Sequence, residues 1–403
     1  MAPAGTPPDH PRIHWTTPDG EPASARWRSE RGAPAPTRVA LVDDTTTADA
    51  AYRLACAGTA LLWQGDFQNA RHLLQAMARR CDAVPARKQR KAPAPAGPAP
   101  LAEAFHRHRQ AQAQRARTLG MLLIPVEADH TVALRRAPDV QQACTQAWGE
   151  PGAGDERSVV SLRELLSLTS AQEWRRVGVA VEALGPPPNN RVFPHYGVFS
   201  PVRGEYIDLV AKAPLPPGVA EAGAFDIGTG TGVLSAVLAR RGVARIVATD
   251  LDERALACAQ ANLQQLGVGA QVTLLQADLF PTGRAALIVC NPPWLPARAS
   301  SPVERAVYDE GSRMLTGFLN GLAAHLEPQG EGWLILSDLA EHLGLRTREE
   351  LLTLISQAGL HVLGRLDARP RHGKASDASD PLHAARAAEV TSLWRLGLAP
   401  APG

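Results

Sequence analysis

From Ala224 onward the chain alternates short apolar runs with stretches of helical period. The runs "AFDIG", "RIVATD", "VTLLQAD", "ALIVCN" and "GWLILSD" are short, apolar and rich in β-branched residues, which predicts strands buried on both faces. Between them, "GVLSAVLARRG", "ERALACAQANLQQLG" and "SRMLTGFLNGLAAHL" repeat apolar residues every three or four positions, as amphipathic helices do. Such alternation implies a parallel, doubly wound α/β sheet. Beyond "REELLTLISQAG", the segments "HVLGRLD" and "VTSLWRL" predict a closing antiparallel pair, separated by a polar loop over 367–389. Upstream, "GVAVEAL" and "RVFPHYGVF" predict two strands around a "GPPPNN" turn.

The first half has a different rhythm. "ADAAYRLACAGTALLWQGDFQNARHLLQAMARR" predicts two amphipathic helices, broken at Gly65 with Asp66 capping the second. "PARKQRKAPAPAGPAP" predicts a basic linker, and "LAEAFHRHRQAQAQRART" a helix. "MLLIPVEADHTVALRR" predicts two strands around "EADH". "PDVQQACTQAW", with Pro138 near its start, and "SLRELLSLTSAQEWRRV" predict further helices. Residues 1–47 are rich in Pro, Thr, Asp and Gly without a sustained period, which predicts a disordered tail. The expected organisation is therefore a tail over 1–47, a mostly helical domain over 48–184 and an α/β domain over 185–398.

Composition narrows the function classes. A length of 403 residues with 45% hydrophobic content suits two or three globular domains, and a net charge of +2 demands no anionic partner. No apolar stretch approaches the length of a membrane-spanning helix, and "MAPAGTPPDHPRIHW" lacks a signal peptide's apolar centre. Five cysteines (Cys56, Cys81, Cys144, Cys258, Cys290) are scattered without a C-x-x-C pair. Free thiols in a reducing compartment fit that pattern better than a zinc site or a disulfide framework. The expectation is a cytoplasmic protein with neither membrane nor metal partner.

The candidate chemistry lies where successive strands end. The first core strand runs into "FDIGTGTG", with Asp226, Gly228, Thr229, Gly230 and Gly232 at the turn into a helix. Glycines there permit close approach of a ligand to backbone. The spacing G-x-G-x-G differs from the usual dinucleotide fingerprint. The second strand ends at Asp250, 18 residues beyond Gly232, the third near Asp278, and the fourth in Asn291, Pro292, Pro293 and Trp294. The prolines stop the strand and stiffen the backbone where Asn291 leaves the sheet. A carboxamide and an indole fixed at a strand's carboxyl end suit a planar, polar ligand, and ligands of open α/β sheets bind at that edge. Each acid taken alone serves equally well as a helix cap.

"FDIGTGTG", "ATDLD", "ADLF" and "NPPW" together resemble the ordered motifs of class I S-adenosylmethionine-dependent methyltransferases, over roughly residues 190–398. The resemblance is to the small-domain branch, which includes glutamine methyltransferases of release factors and ribosomal proteins, ribosomal-RNA guanine-N2 methyltransferases and N6-adenine methyltransferases. It implies a Rossmann-like seven-stranded sheet with its last strand antiparallel, and S-adenosyl-L-methionine as cofactor. Gly228, Gly230 and Gly232 would lie along the methionine part, with Asp226 fixing the loop. Asp250 would hold the ribose hydroxyls, and Asp278 the adenine amino group. The Asn291 side-chain oxygen and the Pro292 carbonyl would accept the two hydrogens of one NH2 group and aim its nitrogen at the methyl carbon. Trp294, where relatives usually carry tyrosine or phenylalanine, would offer a stacking face.

Pro201, Arg203 and Glu205 match a looser string of the glutamine-modifying relatives; they line the cofactor pocket, or Arg203 and Glu205 pair on the surface. Tyr196 and Phe199 either close over the cofactor or pack. Two acceptors stay open: a protein glutamine on a ribosome-associated protein or release factor, and an exocyclic base amine of RNA. Residues 71–120 hold eleven Lys/Arg against two Asp/Glu, a patch that suits RNA contact or a solvated helix face. Against an NAD-dependent oxidoreductase stand the loop spacing and "NPPW"; a non-catalytic cofactor-binding module is the other reading weighed. The domain before the methyltransferase region would recognise the substrate.

Overall fold

The computed structural model describes residues 10–91, 101–152, 154–299, 303–370 and 380–400. The chain forms two compact units, one of Met1–Pro98 with Arg109–Glu173, the other of Ala99–His108 with Trp174–Gly403. The division at Glu173 comes before the expected boundary at 184.

Up to Val177 the chain contains β1 (Arg12–Thr16), β2 (Pro22–Arg28), β3 (Val39–Val42), α1 (Ala48–Cys56), β4 (Ala60–Trp63), α2 (Phe67–Lys91), α3 (Leu101–Gly120), β5 (Leu122–Val126), α4 (Gln141–Trp148), β6 (Ser158–Ser161) and α5 (Leu162–Val177). The expected helices are present, and with them a six-stranded mixed sheet in the order β1-β2-β6-β5-β4-β3. The stretch expected as a tail carries β1, β2 and β3, while residues 1–9 lie outside the described residues. These strands escape a composition test because each turns only a few residues inward, such as Ile13 on β1 and Ala25 and Trp27 on β2. The run "ALLW", expected inside a helix, is the buried strand β4; α1 ends at Cys56, before Gly58 at φ 79°. Finally, "MLLIPV" makes β5 but "TVALRR" forms no strand. The start of the expected linker belongs to α2, and 92–100 lie outside the described residues.

The second unit continues with β7 (Val179–Ala180), β8 (Arg191–Val192), α6 (Glu205–Lys212), α7 (Val219–Ala222), β9 (Ala224–Ile227), α8 (Val233–Arg240), β10 (Ile246–Asp250), α9 (Glu253–Gln265), β11 (Val272–Gln276), β12 (Ala285–Cys290), α10 (Arg313–His325), β13 (Leu326–Ser337), α11 (Leu339–His342), α12 (Arg348–Gln357), β14 (Leu360–Ala368), α13 (His383–Ala388) and β15 (Thr391–Leu398). Its seven-stranded sheet runs β11-β10-β9-β12-β13-β15-β14, with β15 antiparallel to both neighbours, as expected. The two strands predicted around "GPPPNN" shrink to the two-residue pair β7 and β8. Of the polar loop after Asp367, residues 371–379 lie outside the described residues, and from 380 it includes α13.

Strand β12 shows why the layers form. Leu287 and Val289 face one side, against Val237 and Leu238 of α8; Ile288 and Cys290 face the other, against Leu315 and Phe318 of α10. That alternation is the period of a pleated strand, and each large side chain so buried contributes about 1.5–3 kcal/mol. In α10, Gly317 and Gly321 leave a notch that Leu279 and Phe280 occupy; a Cβ at Gly317 would stand 2.6 Å from Leu279.

In the first unit, Asp66 caps α2 by accepting from the Gln68 amide at 2.9 Å. Its enclosed carboxylate also takes Arg136 Nε at 2.7 Å and Arg135 Nε at 2.9 Å. The Arg136 guanidinium, followed by the Gln68 amide and Arg135, holds this carboxyl well below the usual carboxylate range. A carboxyl whose pKa is depressed on folding contributes stability above its unfolded pKa, and the contribution fades as pH falls through the folded value. Asp66→Asn is therefore expected to lower the melting temperature near pH 7 and to lose much of that deficit below about pH 4. Melting curves across pH check this; an equal deficit at every pH refutes it.

Candidate functional site

Strand register gathers the predicted residues. Ile227 pairs with Thr249 of β10 and with Cys290 of β12, so the next residues, Gly228, Asp250 and Asn291, stand side by side at the carboxyl edge. Asp278 follows β11 at the same edge, since Asp250 pairs with Gln276.

Asp226, in β9, is 1% exposed. Its Oδ2 accepts from Thr229 Oγ1 at 2.7 Å, Ser235 Oγ at 2.6 Å and the Ser235 amide at 3.1 Å. Burial pushes this carboxyl up, opposed by those hydrogen bonds. The carboxylate thus ties the glycine turn to the first turn of α8. The Gly228 and Thr229 amides both donate to the Thr249 carbonyl at 2.9 Å, fastening the turn to β10. Gly228, Gly230 and Gly232 have φ of 72°, 56° and 79°, a region that side chains disfavour. Around Gly230 nothing lies within 4 Å of where a Cβ would be, so this part of the turn is open.

Asp250 is half-buried, and burial raises its pKa. One oxygen accepts from the Gly230 amide at 3.0 Å, the other from the Asp252 amide at 3.0 Å. With up to four acceptor positions on the carboxylate, it keeps capacity for a further donor. Asp278 is more exposed and pairs with Arg313 at the start of α10. The next residue, Met314, packs at Gly228, where a Cβ would meet its methyl group at 2.5 Å.

At the end of β12, Asn291 Oδ1 accepts from the Trp294 indole N–H at 2.9 Å. The Arg203 guanidinium lies over the indole, 5.4 Å from its centre. The indole therefore serves as a hydrogen-bond donor and carries a cation on one face, rather than standing free as a stacking surface. Pro292 is buried and Pro293 half-buried. Arg203 Nη1 donates to Glu389 Oε1 at 3.1 Å. Pro201 is buried and Glu205, also buried, opens α6. Tyr196 and Phe199 are half-buried in a turn before it.

Sequence reasoning missed several neighbours. Arg313 and Met314 have no motif of their own. Asn262 of α9 is 1% exposed and bridges two segments, donating to the Thr231 carbonyl at 3.0 Å and accepting from the Phe193 amide at 2.8 Å. Leu279, inside "ADLF", takes a left-handed φ of 77°. Of the basic residues over 71–120, Arg80 pairs with Asp49, Arg115 with Asp82 and Arg107 with Glu103, so part of that charge is neutralised locally. Among the described residues, no helix is long and apolar enough to cross a membrane.

The family described as "Methyltransferase small domain" matches residues 190–347. A release factor glutamine methyltransferase of Moorella thermoacetica is 38% identical over 25% of this chain and 37% of its own length. The corresponding protein of Cereibacter sphaeroides is 32% identical over 36% and 56%. A tRNA1(Val) (adenine(37)-N6)-methyltransferase of Vibrio cholerae is 34% identical over 34% and 57%. The chain thus spans between about a third and three fifths of the length of these relatives. The stretch that matches the methyltransferase small domain family, residues 190–347, is the one that carries the glycine turn, the two strand-end acids and the Asn-Pro-Pro-Trp run.

Proposed function

We propose that this protein is an S-adenosyl-L-methionine-dependent N-methyltransferase acting on a planar amide or amine nitrogen, a glutamine side chain of a release factor or ribosome-associated protein. The observation that carries the reading is the in-register edge, where the open glycine turn, Asp250 and Asn291 stand on adjacent strands. The residues fit the cofactor: the space beside Gly230 is open, and Asp250, fastened to that glycine's amide, retains acceptor capacity. Gly228, Thr229, Gly230 and Gly232 would hold the methionine part with Asp226 bracing the turn. Asp250 would hold the ribose and Asp278 the adenine amine, with Arg313 beside it. When bound, the cofactor supplies an electrophilic methyl group on a sulfonium.

Asn291 does the acceptor's share. An amide nitrogen is a poor nucleophile because its lone pair is delocalised, so fixing both N–H groups leaves that lone pair facing the methyl group. The Asn291 oxygen and the Pro292 carbonyl supply two acceptors on a backbone the prolines keep rigid. Positioning is the main source of acceleration, since a sulfonium leaving group needs no acid. The relatives named for release factors support the glutamine reading. A second reading, an exocyclic base amine of RNA, is supported by the tRNA-modifying relative. In either case the first unit would recognise the substrate, with its basic residues available to RNA, and the setting would be cytoplasmic.

Asp250→Ala should weaken S-adenosylhomocysteine binding about 10- to 100-fold, read by calorimetry, as loss of hydrogen bonds to a charged acceptor does. Retained affinity would remove Asp250 from the site. Asn291→Ala should cut methyl transfer about 100-fold or more while leaving that affinity within about threefold. Equal losses of both would instead make Asn291 a cofactor ligand. The acceptor is found by incubating tritiated S-adenosylmethionine with ribosomes and lysate from cells lacking the protein. Label in protein is expected; label in RNA would replace glutamine with the base amine.

A further inference from the structure

Four side chains from distant parts of the second unit converge behind Asn291. Arg203 precedes α6, Trp294 follows β12, Ser337 ends β13, and Glu389 stands just before β15. Glu389 is 1% exposed, and its Oε1 accepts from both Arg203 Nη1, at 3.1 Å, and Ser337 Oγ, at 2.7 Å. Ser337 Oγ accepts in turn from the Leu339 amide at 3.0 Å. The second carboxylate oxygen, Oε2, is buried without a hydrogen-bond partner among the described residues. A carboxylate so enclosed cannot release its cation without leaving a buried charge uncompensated. Arg203 is therefore held in place, and its guanidinium, 5.4 Å from the centre of the indole, restrains the ring.

That restraint matters because of what the indole can do. An indole nitrogen donates a hydrogen bond and cannot accept one, whereas a carboxamide presents an oxygen on one side and an NH2 on the other. A fixed Trp294 N–H thus selects a single orientation of Asn291, with the oxygen held and one of its lone pairs left over. Turned by half a rotation, the same side chain would present donors where an acceptor amide needs acceptors. A phenylalanine in place of Trp294 would keep the ring and lose this selection.

We propose that Arg203 and Glu389 are positioning residues of the acceptor subsite: by locking the Trp294 indole, they set the orientation of the Asn291 carboxamide. This rests on the reading of Asn291 as the group that grips the acceptor. It also gives the tryptophan a task distinct from stacking, and ties the subsite to a residue 186 positions from Arg203.

The test uses the full chain labelled with 15N. The Trp294 indole N–H resonance is identified by its absence from Trp294→Phe. In the parent protein it should exchange slowly with water. Arg203→Lys should speed that exchange about tenfold, with the melting temperature and the other indole resonances unchanged; Glu389→Gln should speed it at least as much but lower the melting temperature, since it leaves Arg203 without its carboxylate. Arg203→Lys retains the charge and decides the point if Glu389→Gln fails to fold. Methyl transfer from tritiated S-adenosylmethionine should fall about tenfold in the same variants, with S-adenosylhomocysteine affinity within about twofold. Glu389→Gln combined with Trp294→Phe should be no slower than Trp294→Phe alone, since both act through one contact. An unchanged Trp294 exchange rate overturns the proposal. So does a general loss of protection with a lower melting temperature in Arg203→Lys, which would make the pair a folding element only, and so do additive effects on transfer. If the parent binds S-adenosylhomocysteine but labels nothing, the methyltransferase reading fails, while the exchange rates still decide the positioning role.

Discussion

The carboxyl edge of the second unit hangs on the buried carboxylate of Asp226. It sits in β9, between the parallel neighbours β10 and β12, and one oxygen gathers a threonine hydroxyl, a serine hydroxyl and a backbone amide. Enclosing a charge is costly unless hydrogen bonds replace its hydration. Here those bonds bend the chain sharply out of the sheet and into α8. Gly228, Gly230 and Gly232 accept the left-handed geometry this demands. Once the turn is fixed, register alone sets Asp250 and Asn291 beside it, because neighbouring parallel strands end level with Ile227.

Much of this edge was legible in the sequence for a simple reason. Each predicted element occupies a short contiguous stretch, and its ends carry residues whose conformational limits are local: glycines at the turn, prolines after Asn291. All seven strands of the large sheet lie where the apolar runs place them. What escaped is non-local or concerns backbone rather than residue type. Nothing near Arg203 in the sequence points to Glu389, and nothing in "ADLF" announces the left-handed Leu279. Trp294 was legible as a large flat side chain, but its use as a donor to Asn291 depends on which way the ring turns. In the first unit, β4 is too short for its period to separate strand from helix, and β1 to β3 bury too few residues each to stand out from a polar stretch.

The two faces of the large sheet divide the labour. Under α6, α8 and α9 lies the face that braces the glycine turn, with Asn262 joining that turn to the segment ahead of it. Under α10 and α12 lies the face that supports Asp278 and the residues after it. Gly317 and Gly321 admit Leu279 and Phe280 into the side of α10, and the ring of Phe280 stacks on His325 with centroids 4.4 Å apart. Helix α10 also begins at Arg313 and Met314, one against Asp278 and the other against Gly228. A single helix therefore touches both Asp278 and Gly228, which links this acid to the glycine turn through packing rather than through the sheet.

The position of β15 has a consequence for the order in which the molecule comes into being. It is the last strand in the chain, yet it lies inside the sheet, between β13 and β14. While residues 391–398 are still within the ribosome, β14 has no neighbour to pair with and β13 shows an open edge. Strands β9 to β13 can associate as they emerge, so the glycine turn and its acids form early on the nascent chain. The wall behind Trp294, to which Glu389 belongs, closes only when synthesis passes beyond it. A growing chain would thus hold the glycine turn and its neighbouring acids before the surroundings of Trp294 are complete.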